Sequence, residues 1–388
     1  MTFDILIRGG ELIDPAQQLR GTRDVGITAG RIAAVEPSLA DAEATTVIEA
    51  DGLLVVPGLV DLHVHVDRGH TPLGLDPDLL CPAGGVTTML DTGSTGSGNF
   101  PGFRRDVIDR ADTEVLALIN LSCIGLAASS LGELLDRRYA DVPGTVRTIR
   151  EHPGVAVGVK IRAGAHIIGT GETGRANFLD AVRAARESGT WLMVHIGESP
   201  LSIPEMLEHM QPGDCITHCY KGGSERILDP AGRLFDEVRA AAEQGVVFDV
   251  GHGYGSFQWE VAESCLKQGL PPTTISTDLH TKNIQGPVYD LPTTMSKFLH
   301  LGVSLEEVIA MATTRPARVL GLEQDRGTLA VGTTADVALL EQKSGAFQLT
   351  DSYRQTRTAD RLLVAAGTIR RGEVVPGGGG LWTRHLAR

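Results

Sequence analysis

Between residues 57 and 326 the chain repeats one unit: a short apolar run, a polar or glycine-rich break, then an amphipathic helical stretch. The runs GLVDLHV, GVTTMLD, EVLALIN, VAVGVKI, TWLMVHI, DCITHC, GVVFDVG and TTISTD start about thirty residues apart, the size of one βα unit. Stretches such as RANFLDAVRAARESG and AGRLFDEVRAAAEQG fill the intervals with helical periodicity. Eight such units over roughly 250 residues predict an α/β fold, a (β/α)8 TIM-type barrel whose chemistry lies at the C-terminal strand ends. The rival, a doubly wound open sheet, would carry a GxGxxG turn after its first strand, and no such turn is present.

The two ends of the chain read differently. DILIRGGELID and DVGITAGRIAAVE alternate apolar and polar residues with Gly at the breaks, as do GTLAVGTTADVALLE and RLLVAAGTIRRGEVV after residue 326. We therefore expect a small discontinuous β-sandwich domain from residues 1–56 and 327–388, flanking a catalytic barrel over 57–326.

The strand ends carry the chemistry. Strand one ends in His63-Val64-His65, and period two puts both histidines on one face. Strand four carries Lys160, strand five ends in His195, strand six in His218 and strand eight in Asp278. A lone histidine at a strand end is usually a satisfied core residue, but six polar residues in register with the barrel repeat make that reading improbable. Imidazole and carboxylate donors suit Zn²⁺ and related divalent ions, Mn²⁺ among them. Six donors exceed the needs of one open zinc site and point to two ions. Burial lowers the pKa of a lysine amine, which can then capture CO₂ as a carbamate, a bidentate bridge between metals. The competing role for Lys160 is to bind a substrate carboxylate.

Composition removes other classes. The net charge of −13 opposes nucleic-acid binding, which needs a basic footprint. No run of eighteen apolar residues exists, and MTFDILIRGGELID lacks the basic start and apolar core of a signal peptide. The five cysteines form no CxxC pair and suit a reducing compartment, so the expected enzyme is cytoplasmic and acts on a small molecule, with no membrane partner.

The HxH, Lys, His, His and Asp set resembles the amidohydrolase superfamily, in the branch where a carboxylated lysine bridges a binuclear centre, which includes dihydroorotases, hydantoinases and related deacetylases. The terminal segments DILIRGGELID, GRIAAV and RGTLAVGTTADVALL, and the helix segment TTRPARVLGL, are similar to that family's as well. The resemblance implies that His63, His65 and Asp278 bind the more buried ion and that His195 and His218 bind the other. Lys160 would bridge, and the protein would be a homo-oligomer. It also implies hydrolysis of an amide, ester or cyclic amide by a metal-bridging hydroxide, with Asp278 as acid–base.

Substrate is addressed by what departs from the family. Dihydroorotases carry Arg two positions beyond the second histidine, where this chain has Asp67. AGGVTTMLDTGSTG and VKIRAGAHIIGTGETG resemble a dihydroorotase-like deacetylase group, which implies an N-acyl amino acid or an acetylated hydroxy acid as substrate. The alternatives are a cyclic amidase or lactonase, and a non-catalytic scaffold homologue. Arg162, Tyr220, His252, Tyr254, His280 and Lys282 follow the strand ends and are the candidate substrate-binding residues. The glycines of DTGSTGSG suggest a mobile active-site loop. His70, His152, His209, His300 and His385 read as surface or helix residues, Cys219 as a packed one, and His166 is assigned to neither group.

Overall fold

The computed structural model describes residues 2–377; His385 lies outside them. The N-terminal segment forms β1 (Thr2–Asp14), β2 (Leu19–Thr28), β3 (Arg31–Glu36), β4 (Glu43–Glu49) and β5 (Leu54–Pro57). The barrel strands are β6 (Leu59–Val64), β7 (Val86–Gly96), β8 (Glu114–Asn120), β9 (Ala156–Arg162), β10 (Trp191–His195), β11 (Cys215–Thr217) and β12 (Val247–Asp249). The chain returns through β13 (Val337–Thr350), β14 (Thr356–Arg370) and β15 (Glu373–Val375).

β6 to β12 pair in parallel and in sequence order, with helices between them, as the apolar runs predict. Parallel strands are buried on both faces, and β7 is buried along its whole length. The stretch TTISTD does not form a regular eighth strand. It closes the barrel through isolated bridges, Asp249 with Thr274 and Val64 with Leu279. Local chemistry explains the break: the amides of Thr277 and Asp278 bond to the Asp61 side chain (3.0 Å) and the His63 carbonyl (2.7 Å). Asp278 also has φ +50°, incompatible with an extended ladder. The fold is thus a nearly closed seven-stranded barrel.

DTGSTG belongs to β7 rather than to a mobile loop. Its glycines allow close packing: a Cβ on Gly93 would lie 2.7 Å from Lys160 Cβ. The second sheet has the order β15-β14-β13-β5-β1-β2-β3, with β4 on β1, and its N- and C-terminal parts meet where β5 pairs antiparallel with β13. One apolar cluster, including Ile5, Ile7, Val25, Ile27, Val337 and Ile369, covers this sheet. Among the described residues no helix is long and apolar enough to cross a membrane.

Trp259 joins the two parts. It is fully buried, its Nε1 donates to the Gln355 carbonyl at 3.0 Å, and its backbone N–H reaches Asp351 Oδ2 at 3.2 Å. The Arg357 guanidinium lies over the ring, 5.0 Å from its centroid. Trp259→Ala is expected to cost about 3–5 kcal/mol, read as a lower urea midpoint. A loss below about 1 kcal/mol would mean that the site collapses around the cavity.

Candidate active site

A β-bulge aims the first two candidate ligands inward. Asp61 pairs with Met89 and Val64 with Asp91, so β6 holds one extra residue over that interval. Val60 and Leu62 lie in the cluster that plugs the barrel interior, with Leu90, Leu118, Met193 and Val247. The extra residue lets His63 face the same side as Leu62, while Val64 and Val66 join the outer core. His63 and His65 are 1% and 5% exposed, and their Nε2 atoms both stand 3.3 Å from Asp278 Oδ1.

Left-handed backbone places two more. His218 has φ +67° and Asp278 φ +50°, conformations that cost a non-glycine residue about 1–3 kcal/mol and cluster at functional sites. His218 Nδ1 lies 2.6 Å from the Gly251 carbonyl and must donate there, so its Nε2 carries no proton. That Nε2 is 2.8 Å from His195 Nδ1. Gly253, at φ +57°, lets the loop pass so close that a Cβ there would lie 2.5 Å from Asp278 Oδ2.

Lys160 is buried, and its Nζ meets Met193 Sδ at 3.3 Å and His63 Nε2 at 3.4 Å. Neither neighbour neutralises an ammonium, and burial pulls the amine down to about 8. Burial also takes His63 and His195 well below the usual imidazole range and His218 to about 4, so these rings are neutral. Asp278 stays well below the usual carboxylate range despite its burial, so it is anionic. The donor set therefore fits divalent cations. Neutral imidazoles and an anionic carboxylate converge, and the potential ligand atoms of His63, His218 and Asp278 lie within 4.8 Å of one another.

A cleft of about 260 Å³ opens above these residues. Its wall includes Arg162, Tyr254, His280 and Lys282, all among the sequence candidates, together with Ser129 and Ser130. Tyr220 and His252 face elsewhere. The Tyr220 hydroxyl donates to the Leu270 carbonyl at 2.8 Å inside the core, with the ring stacked on Phe298. His252 is buried between the Phe257 ring and Lys297, whose Nζ is 2.6 Å from His252 Nε2. Both residues follow strand ends, but an apolar partner on the outer side of the barrel takes each ring. Asp67, two residues beyond His65, also turns away and pairs with His70 at 2.6 Å.

Several buried carboxylates escaped the sequence reading, Asp249 and Glu133 among them. Asp249 closes β12 in the run VVFD, and the strand-end rule that selected Asp278 would have found it. Glu133 sits in a loop with no motif; its side chain is fully buried, 3.4 Å from Arg162 Nη1, and its other oxygen has no partner.

The Amidohydrolase family profile matches residues 54–375. A deacetylase of Agrobacterium fabrum is 37% identical over 334 residues, covering 86% of this chain and 81% of its own. A deacetylase of Enterococcus faecalis is 34% identical over 96% of this chain and 99% of its own. A crystal structure described as an adenine deaminase superposes with TM-score 0.89 at 34% identity, covering 96% of this chain and 99% of that one. A crystal structure described as a dihydroorotase gives 0.88 at 33%, over 97% and 98%. These names disagree about substrate and agree about family. The chain belongs to the amidohydrolase family and is a metal-dependent hydrolase of C–N bonds.

Proposed function

We propose that the protein is a binuclear deacetylase or amidohydrolase that cleaves the amide or ester bond of a small acylated carboxylic acid, such as an N-acyl amino acid or an acetylated hydroxy acid. The charge of the cleft carries this reading. In a chain of net charge −13, the cleft wall presents Arg162 and Lys282 as cations, and among the described residues its one acid is Asp278. Such a cavity attracts a substrate anion that the rest of the surface repels. The deacetylase names of relatives at 34–37% identity point the same way.

His63, His65 and Asp278 would hold one divalent ion, Zn²⁺ or Mn²⁺, and His195 and His218 a second, with Lys160 as its carbamate between them. Bound there, such ions would acidify water and polarise the scissile carbonyl. Arg162 offers a planar guanidinium at the cleft wall and pairs with the substrate carboxylate. Asp278 takes a proton from the attacking water and returns it to the leaving amine or alcohol as the tetrahedral intermediate collapses.

The test is a screen of bicarbonate- and metal-loaded enzyme against N-acyl amino acids, acetylated hydroxy acids, their neutral amides, cyclic amides and adenine. Turnover of the linear acyl acids is expected. Turnover confined to cyclic amides would replace this reading with ring opening. Full metal loading without turnover of any of these would favour a scaffold. Arg162→Met is expected to raise KM for a carboxylate substrate about 10–100-fold, from the loss of a charged hydrogen bond, and to leave its neutral amide within about threefold. Equal effects on both would remove Arg162 from carboxylate recognition.

A further inference from the structure

His63 of β6 and His65 just beyond it reach no carboxylate or carbonyl directly with their outer nitrogens. His63 Nδ1 lies 2.8 Å from Thr217 Oγ1, and that hydroxyl donates to Asp249 Oδ2 at 2.7 Å. His65 Nδ1 lies 2.9 Å from Ser94 Oγ, which donates to Asp91 Oδ2 at 2.7 Å. Thr217, Asp249, Ser94 and Asp91 are all fully buried, so water does not offer these groups other partners.

A hydroxyl has one proton and two lone pairs. Both carboxylates serve as multiple acceptors: Asp249 also takes the hydroxyls of Thr274 and Ser276 at 2.7 Å each. Asp91 also takes the backbone N–H groups of Val66 at 2.9 Å and Ser94 at 2.8 Å. The protons of Thr217 and Ser94 are therefore committed to the carboxylates. Each hydroxyl can only accept from its imidazole, so the ring proton sits on Nδ1. The bare nitrogen is then Nε2, the atom that faces Asp278. The interposed hydroxyl also keeps the Asp249 carboxyl back from the ring: its Oδ2 stands 3.8 Å from His63 Nδ1.

We propose that Thr217 and Ser94 are positioning residues, two matched imidazole–hydroxyl–carboxylate relays that fix Nε2 as the ligand atom of His63 and His65. For its consequence this rests on the metal reading above; for its geometry it does not. Thr217 also precedes His218, whose left-handed φ lets consecutive residues of one strand end face the centre. One strand end thus supports a histidine of β6 with a hydroxyl while presenting its own imidazole.

The test uses full-length protein labelled with ¹⁵N-histidine, metal-free for long-range ¹⁵N–¹H spectra, and Zn²⁺ titrated against a chromophoric chelator. Wild-type His63 and His65 are expected as single Nδ1–H tautomers. Thr217→Val keeps the shape but removes the hydroxyl. It should mix the His63 tautomers and weaken Zn²⁺ about 10–100-fold, whereas Thr217→Ser stays within about threefold. Ser94→Ala, which deletes a single oxygen, carries the same test at His65 should Thr217→Val not fold. Single Nδ1–H tautomers and unchanged affinity in the hydroxyl-free variants would overturn the proposal. A tautomer shift in Thr217→Val, with no Zn²⁺ bound even by wild type, would uphold the relay and defeat the metal reading instead.

Discussion

Asp278→Asn is expected to lower kcat by about 10²–10⁴, the usual contribution of a positioned acid–base group, while bound metal falls far less. The amide keeps an oxygen where Oδ1 now stands 3.3 Å from both His63 and His65 Nε2. It cannot take a proton from the attacking water at neutral pH. The variant separates two roles that the position would combine, coordination and proton transfer. Metal content by elemental analysis reports the first, and kcat across neutral pH the second. Wild-type turnover over that range would remove the acid–base assignment.

Lys160→Ala is expected to abolish the second ion and to cut turnover by at least about 100-fold, more than the loss of a ligand-supporting residue usually costs. Added acetate or propionate should restore part of both, because a small carboxylate can occupy the space and supply the missing bridge. That space is well defined. Lys160 is 1% exposed, packs its stem against Gly93 and brings its amine beside His63 and Met193. Burial, against the opposing pull of the Asp278 carboxylate, lowers its pKa to about 8 and makes the neutral, CO₂-reactive form accessible. Full activity without any added acid would sink the bridging role.

How far the sequence could be read depended on how local the signal was. Apolar runs with helical stretches between them are a local pattern, and β6 to β12 follow it within a few residues. The eighth run, TTISTD, keeps the spacing with a single apolar residue, and Asp61, far away in sequence, takes the amide of Thr277 with its side chain and breaks the ladder there. DTGSTG looked like a loop by composition, because glycine, serine and threonine favour turns. In the barrel those small residues allow β7 to approach Lys160 and set Ser94 behind His65. Small residues at a crowded contact and small residues in a loop are alike in sequence.

The candidate site divides along the same line. The sequence by itself determined which donor types stand at which strand ends, because strand period and apolar patterning are properties of each segment alone. It also made Arg162, Tyr254, His280 and Lys282 candidates for the cleft, and these four do line it. Only the tertiary structure decided which way the side chains turn. The extra residue in β6 brings His63 to the inner face, and positive φ at His218 and Asp278 swings both toward the centre. Leu270 and Phe298 draw Tyr220 into the core, and Lys297 and Phe257 hold His252 there. Facing direction is set by register against a neighbouring strand and by partners remote in sequence, and neither is encoded in the segment that carries the residue.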